Sequence, residues 1–554
     1  MFVKRLPAAE WIRRYQRADL RYDLIAGATV AVMLVPQAMA YAMLAGLPPV
    51  VGLYASVAPV VVYALFGSSR QLAVGPVALV SLMVASGCAE LAEPESARYV
   101  AIVLLLMLMV GIVQLGMGLF RVGFLVCFLS RAVVSGFMSA AALIIGASQL
   151  KHLLGIPLAE TTVFGAVFES VRGVGRWHPL TVALAGISVL TLGWLKRRFP
   201  HFPSAMALVA TATLAVWWWG LDARGVAVVG EVPRGLPRLS LPVGDAAIAI
   251  QLLPVTLAIA FVGFLESVAI AQSIAAREKY QVDPNQELRA LGLANLAGTF
   301  FSGYPVTGGL SRTAVNYSAG AKTPLASLVT GGLVLLVLLF FTPLFYYLPK
   351  AVLAAIVLVA VAGLIEYHEG LRLYRLKPAD GLCFLFTFGA TLVFGIEPGV
   401  LAGVVLSLLL FIWRSAHPHM AELGYLADEG VYRNLQRFPD ARTFPQALLV
   451  RVDASLYFAN AKFVEGRLRE WLAQRPEVVW VVFDMSGVND MDATAISTLE
   501  RLMADYQVRG VRFAFAGTKG PVRDLMARAG WTADAGRGAQ YVSLQQAMEE
   551  ILGP

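Results

Sequence analysis

The chain has 554 residues, 58% of them hydrophobic and only 14% charged, with a mean hydropathy of +0.69 and a formal charge of +8. Soluble globular chains run nearer 45–50% apolar and about 25% charged, so a purely soluble enzyme, a disordered chain and a collagen-like repeat are excluded. Residues 1–416 hold 29 Lys/Arg and 19 Asp/Glu, while the rest hold 15 and 17; the basic excess marks loops beside membrane spans, not a nucleic-acid surface.

A membrane-crossing helix needs about 20 apolar residues. The start carries Arg13, Arg14, Arg17 and Arg21, then an apolar run from Leu24 to Leu47 without a small-residue cleavage pattern. This predicts a retained first span at 24–46 and an N-terminal segment, 1–22, on the cytoplasmic side. Clear spans follow at 50–66, 99–120, 123–150, 179–195, 204–221, 247–275, 325–348, 350–365, 380–396 and 398–413. Shorter runs interrupted by Gly or Pro lie at 73–88, 287–302 and 310–320, which brings the count to fourteen. Fourteen crossings return the chain to its starting side. Lys196-Arg197-Arg198 and Arg372, Arg375 and Lys377 then fall inside, and Glu90, Glu93 and Glu95 outside, so both termini are expected in the cytoplasm.

Beyond residue 416 the pattern changes. A polar link, 417–439, leads to short Val- and Phe-rich runs at Ala447–Val452, Val478–Phe483 and Val511–Ala516, with helix-period stretches at 461–474, 493–508 and 520–529. Strands alternating with helices predict a separate α/β domain over 440–554. The membrane part, 23–416, divides into halves of seven spans each, about 23–221 and 247–416. An odd number per half makes the two repeats inverted.

The halves carry matching breaks. Residues 66–76, FGSSRQLAVGP, and residues 301–312, FSGYPVTGGLSR, each lead into an apolar half-helix, seven spans apart. Pro48-Pro49 and Pro284 precede them at matching distances. Extended backbone at membrane depth is tolerated only where it lines a cavity or is buried in protein. A half-helix N-terminus offers unsatisfied N–H groups and about half a positive charge. Two such ends facing each other make an anion site, with Gly75, Pro76 and Val77 on one side and Gly308, Gly309 and Leu310 on the other. The same Gly and Pro residues are also compatible with tight packing alone.

Three further positions stand out. Arg312, just inside the second half-helix, is costly at membrane depth unless it meets water, a partner or a ligand; it would add full positive charge to the anion site, or else cap carbonyls. Ser311 beside it could donate one hydrogen bond. Glu266, inside the 247–275 run, could carry a proton in step with the substrate, hold Na⁺ when ionised, or serve as a structural partner of Arg312. Gln37 and Tyr41, one turn apart, put an amide and an aromatic edge on one face of the first span. Gly395, Gly399 and Gly403, spaced by four, predict close helix packing. Cys88, Cys127 and Cys383 predict buried thiols, with no disulfide or zinc spacing. No metal ligand set, cofactor motif, P-loop or nucleophile–base constellation is visible, His417 and His419 lacking further ligands; neither an enzyme nor an ATP-driven pump is expected.

At this point a resemblance enters. Residues 285–301, NQELRALGLANLAGTFF, running on to Gly308–Val315, resemble the signature of the SulP (sulfate permease-type) anion transporters, as does VPQAMAYA at 35–42. The tail, VFDMSGV at 482–488 and DMDA at 490–493, is similar to a STAS domain, the fold of anti-sigma factor antagonists. The resemblance implies a uracil-permease-like fold: a 7+7 inverted repeat split into core and gate domains, with Gln37, Gly75–Val77, Glu266 and Ser311–Arg312 in the core, a homodimer, and a cytoplasmic STAS domain whose partner is unknown. Soluble relatives of that domain carry a phosphorylated Ser after the Asp matching Asp492; here the position is Ala493, so that switch is absent.

The expected function is secondary active transport of a small anion (a dicarboxylate such as fumarate, sulfate or bicarbonate) across the bilayer of a bacterial-type inner (plasma) membrane. Proton symport through Glu266 is the expected coupling, with Na⁺ as the other candidate. An exchanger, a channel-like conductor, a nucleobase permease of the same fold and a membrane-tethered scaffold are the rivals; Arg312 argues against the nucleobase.

Overall fold

The computed structural model describes residues 7–124, 130–158, 162–199, 202–237, 239, 245–531 and 539–552. It divides into two compact units, Met1–Ser407 and Leu408–Pro554.

In the first unit the expected spans are helices. Among the described residues nine helices are long and apolar enough to cross a membrane, and Ala78–Cys88, Ser204–Trp219 and Pro378–Phe394 are shorter apolar ones. With Pro284–Phe300 and Leu310–Ser318 the segments number fourteen. Their starts follow local chemistry. Ser96 caps one helix by accepting from the Tyr99 amide, and Asp283 caps another by accepting from the Asn285 amide ahead of Pro284, satisfying donors that a helix start leaves open. Cys88 and Cys383 are buried; Cys127 lies outside the described residues.

The elements that build the site are α1 (Asp19–Leu44), α2 (Ala58–Phe66), β1 (Val74–Gly75), α3 (Ala78–Cys88), α4 (Ala97–Leu119), α5 (Ala246–Glu278), α6 (Pro284–Phe300), β2 (Thr307–Gly308), α7 (Leu310–Ser318) and α8 (Leu325–Leu336). The first repeat runs α1, α2, β1, α3; the second repeats that order as α5, α6, β2, α7. The helices meet through small residues. A Cβ on Gly292 of α6 would lie 2.5 Å from the Leu115 amide nitrogen of α4, and one on Gly27 of α1 2.5 Å from the Ala326 carbonyl oxygen of α8. Backbones this close need glycine at the crossing. The predicted Gly395/Gly399/Gly403 seam is met at two positions: Gly399 abuts Thr391 and Gly403 abuts Thr387, whereas Gly395 faces open space and turns the chain at φ 91°.

The second unit is built on a six-stranded sheet. Strands β3 (Met420–Leu426), β4 (Val431–Asn434), β5 (Ala447–Val452), β6 (Trp480–Asp484), β7 (Arg512–Ala516) and β8 (Ala539–Tyr541) lie in the order β4-β3-β5-β6-β7-β8. β5 to β8 are parallel, and β3 runs antiparallel to both β4 and β5. Helices Ala461–Gln474, Ala493–Gln507 and Gly520–Arg528 supply the crossovers. The stretch 417–439, expected to be a polar link outside the domain, instead contributes the β3–β4 hairpin. Its residues alternate weakly in hydropathy, and its strand character comes from pairing to β5 (Met420 with Val452). The core is aromatic: the Phe483 and Phe515 rings stack at 5.4 Å, and Trp531 packs on Phe515 at 5.2 Å. Asp492 caps the Ala493–Gln507 helix through the Ala495 amide at 2.8 Å and accepts from the Phe458 amide at 2.8 Å.

Asp453, at the end of β5, accepts hydrogen bonds from Arg451 Nε at 2.6 Å and His419 Nδ1 at 2.9 Å. Partial burial raises its carboxyl, but those bonds and the two basic neighbours outweigh burial and hold it below the ordinary carboxylate range. A carboxyl depressed by folding stabilises the domain above the unfolded-state value, and that contribution fades as pH falls through the folded one. Asp453→Asn is therefore expected to flatten the acid-side loss of protection of the β3 and β5 amides in hydrogen exchange as pH falls from about 5 to about 2. An unchanged profile would remove Asp453 from the acid response.

Candidate functional site

Two extended segments meet inside the first unit. β1 and β2 pair antiparallel, Val74 opposite Gly308 and Gly75 opposite Thr307, and the Gly309 amide donates to the Ala73 carbonyl at 3.0 Å. Each strand hands over to a helix after an extended residue: Val77 (φ −133°, ψ 149°) before α3 and Gly309 (φ −99°, ψ 122°) before α7. Neither start has a side-chain cap. Their first-turn amides, with the positive ends of the two helix dipoles, are thus open to a ligand.

Buried polar side chains hold this junction. Asn295 of α6 reads the backbone of Val306 on both sides, accepting its amide at 2.9 Å and donating to its carbonyl at 3.2 Å, and also donates to Gln114 Oε1 at 2.9 Å. Ser267 of α5 accepts the Gly308 amide at 2.8 Å. Thr313 of α7 accepts the Ala73 amide at 3.0 Å, and Asn316 donates to the Gln71 carbonyl at 2.9 Å. Glu287, fully buried in the first turn of α6, accepts from the Ser68 amide (2.8 Å), the Ser68 hydroxyl (2.7 Å), the Ser69 amide (3.1 Å) and the Tyr63 hydroxyl (2.6 Å). The irregular backbone therefore leaves few groups unmatched in a low dielectric, where each would cost roughly 1–3 kcal/mol. Sequence reasoning assigned none of these residues a role. The available signal was a polar side chain recurring inside apolar spans.

Arg312 is 1% exposed. Its Nη1 donates to the Pro76 carbonyl, while Nε and Nη2 have no protein partner. The guanidinium lies against both breaks: a Cβ on Gly309 would be 2.7 Å from Nη2, and one on Gly75, at φ 155°, 3.4 Å away. One N–H thus caps a carbonyl, and Nε and Nη2 are left over. Tyr41, Tyr304 and Glu266 are near enough to feel its charge. Glu266 is half-buried, and its Oε2 lacks a partner. Gln37, buried one turn before Tyr41, has an unpartnered Oε1. Tyr304, unremarked in the sequence, is fully buried, with its hydroxyl 2.9 Å from Ser81 Oγ on α3. Of the predicted site residues, the structure gathers Tyr41, Gly75, Pro76, Glu266, Gly309 and Arg312. Val77 is buried as the last residue before α3. Leu310 and Ser311 are exposed at the start of α7. Among the described residues no cluster of His, Cys, Asp and Glu fits a metal ion.

A buried, partly unpaired guanidinium beside two uncapped helix starts is a chemistry suited to anions. Comparison with known proteins gives the family. Residues 20–387 match the sulfate permease family and residues 438–535 the STAS domain. The chain is 40% identical, over 99% of its length and 82% of the relative's, to sulfate transporter 4.1, chloroplastic, of Arabidopsis thaliana. It is 37% identical, over 98% of its length and 97% of the relative's, to a probable sulfate transporter of Mycobacterium tuberculosis. Among solved structures, the murine Solute Carrier 26 family member A9 anion transporter in the inward-facing state superposes with a TM-score of 0.91 at 26% identity, covering 99% of this chain and 94% of that one. The transmembrane domain of a cyanobacterial bicarbonate transporter shares the fold at a TM-score of 0.62 and 24% identity, over 71% of this chain and 98% of that one. The chain belongs to the sulfate permease (SulP) family and carries its C-terminal STAS domain; it is a multi-pass membrane anion transporter, not an enzyme.

Gly309→Ala tests the geometry. A methyl there needs the space Nη2 occupies, so the guanidinium must move by close to an ångström. Uptake efficiency is expected to fall on the order of tenfold, with the melting temperature in detergent nearly unchanged. Wild-type uptake in this variant would mean that Arg312 need not lie against Gly309.

Proposed function

We propose that this transporter carries a small oxyanion, sulfate first among the candidates, across the inner (plasma) membrane by alternating access of the core domain against the gate domain. Arg312 and the open amides at the starts of α3 and α7 hold the anion, Gln37, Tyr41 and Ser311 frame it, and Glu266 moves a proton with it. The observation that carries this reading is the buried guanidinium with two unpartnered nitrogens wedged between two uncapped helix starts. A buried charge left so is strongly disfavoured, and an anion relieves it. Sulfate leads because the relatives at 37–40% identity are named as sulfate transporters; fumarate and bicarbonate follow. Both termini face the cytoplasm, with the STAS domain there, and the working unit is a homodimer. The expected transport limits, 23–416, stand as part of this proposal; the expected STAS limits, 440–554, are extended to take in β3 and β4, which belong to the same sheet.

Uptake into proteoliposomes decides among substrates: sulfate, fumarate, succinate, bicarbonate and uracil, each with and without proton and sodium gradients. Sulfate accumulation driven by a proton gradient is expected; uracil uptake that no anion competes would reverse the reading. Arg312→Ala is expected to lower sulfate uptake efficiency about 100-fold, equivalent to roughly 3 kcal/mol, whereas wild-type kinetics would take Arg312 out of the site. Glu266→Gln is expected to lose dependence on the pH gradient while still binding sulfate. Proton-driven accumulation persisting in that variant would exclude Glu266 as the coupling group.

A further inference from the structure

A small cavity touches Arg312 between α1, α2, α7 and α8. Its polar lining is Arg312, Asn316, Ser327 and Thr330; Leu34 and Val60 are among its apolar walls. It offers about 10 Å³ to the centre of a water-sized sphere, the lower bound for one water and far too little for a tetrahedral oxyanion.

The chemistry of the lining selects the occupant. Arg312 and Asn316 stand four residues apart on α7, hence on one face, and are 1% and 2% exposed. Because Asn316 Nδ2 is committed to the Gln71 carbonyl, its Oδ1 is the free end, and that atom has no partner. Nε and Nη2 of Arg312 are likewise unpartnered. Thr330 Oγ1 lies 3.0 Å from both the Gly27 and the Ala326 carbonyl oxygens, which share its one proton, so its lone pairs remain available. The space thus presents cationic donors on one side and acceptors on the other. A cation would be repelled by Arg312. An anion would meet Asn316 Oδ1. A neutral molecule that both donates and accepts satisfies both sides.

We propose that this cavity holds one structural water, which accepts from the Arg312 guanidinium and donates to Asn316 Oδ1, and that Asn316 is thereby a positioning residue for Arg312. The water bridges the pair without neutralising it, so the charge of Arg312 stays available to the transported ion. An aspartate at 316 would do the opposite, pairing with the guanidinium outright.

The direct test is a cryo-EM map of the full chain in lipid nanodiscs at a resolution that shows ordered waters. Density within hydrogen-bonding distance of both Arg312 and Asn316 Oδ1 is expected. A dry cavity, or Asn316 Oδ1 bonded directly to Arg312, would overturn the proposal whatever the variants do. The kinetic test rests on the anion reading above. Ser327→Val fills the cavity and is expected to raise KM for sulfate about fivefold, the worth of one lost hydrogen bond, with Vmax within about twofold of wild type. Asn316→Asp is expected to raise KM at least tenfold. Folded variants with unchanged KM would refute the positioning role. Absence of anion uptake by the wild-type protein would instead refute the transport reading and leave the map to decide on the water.

Discussion

The structure depends on one short pairing of backbone: Val74–Gly75 of the first repeat against Thr307–Gly308 of the second. Irregular chain at membrane depth survives only where its polar groups find partners. Here two breaks, more than two hundred residues apart, supply part of each other's hydrogen bonds, and Asn295, Ser267, Thr313 and Glu287 supply more. The same pairing brings two helix starts to one place. Their open amides follow from the extended Val77 and Gly309 that precede them, neither of which can cap.

Arg312 completes the arrangement. Its single bond to Pro76 ties the second repeat's half-helix to the first repeat's break. The remaining N–H groups are not consumed by the protein, and Glu266 sits within range of the charge without taking a hydrogen bond at Oε2. A buried ion pair would have been the ordinary resolution of two opposite charges in a low dielectric. Here the guanidinium keeps Nε and Nη2 free of protein partners, and Glu266 keeps Oε2 free as well.

Much of this was legible in the sequence, and the reason is the membrane. Span length is dictated by bilayer thickness, so fourteen segments could be counted. Gly and Pro inside an apolar run, as at Gly75-Pro76 and Gly308-Gly309, have few meanings at that depth. An arginine nine residues past Gly303 has fewer still. The parallel strands of the STAS domain were readable for a similar reason, since burial on both faces leaves uninterrupted apolar runs such as Ala447–Val452. What stayed hidden was tertiary. Glu287 looks like a first-turn helix acid and becomes a four-fold acceptor only when Ser68, Ser69 and Tyr63 arrive. Asn295 and Asn316 read as tolerated polar residues until the break backbones come beside them. The β3–β4 hairpin has no strong pattern of its own and takes its register from β5.

The central claim is that the transported anion rests on Arg312 between the starts of α3 and α7. Selenate, a sulfate analogue with a strong anomalous scatterer, locates it most directly in crystals of the full chain. The account predicts a selenium peak within hydrogen-bonding range of the guanidinium and the first amides of both half-helices. A bound selenate elsewhere in the transport domain, with Arg312 still contacting only protein, would contradict it.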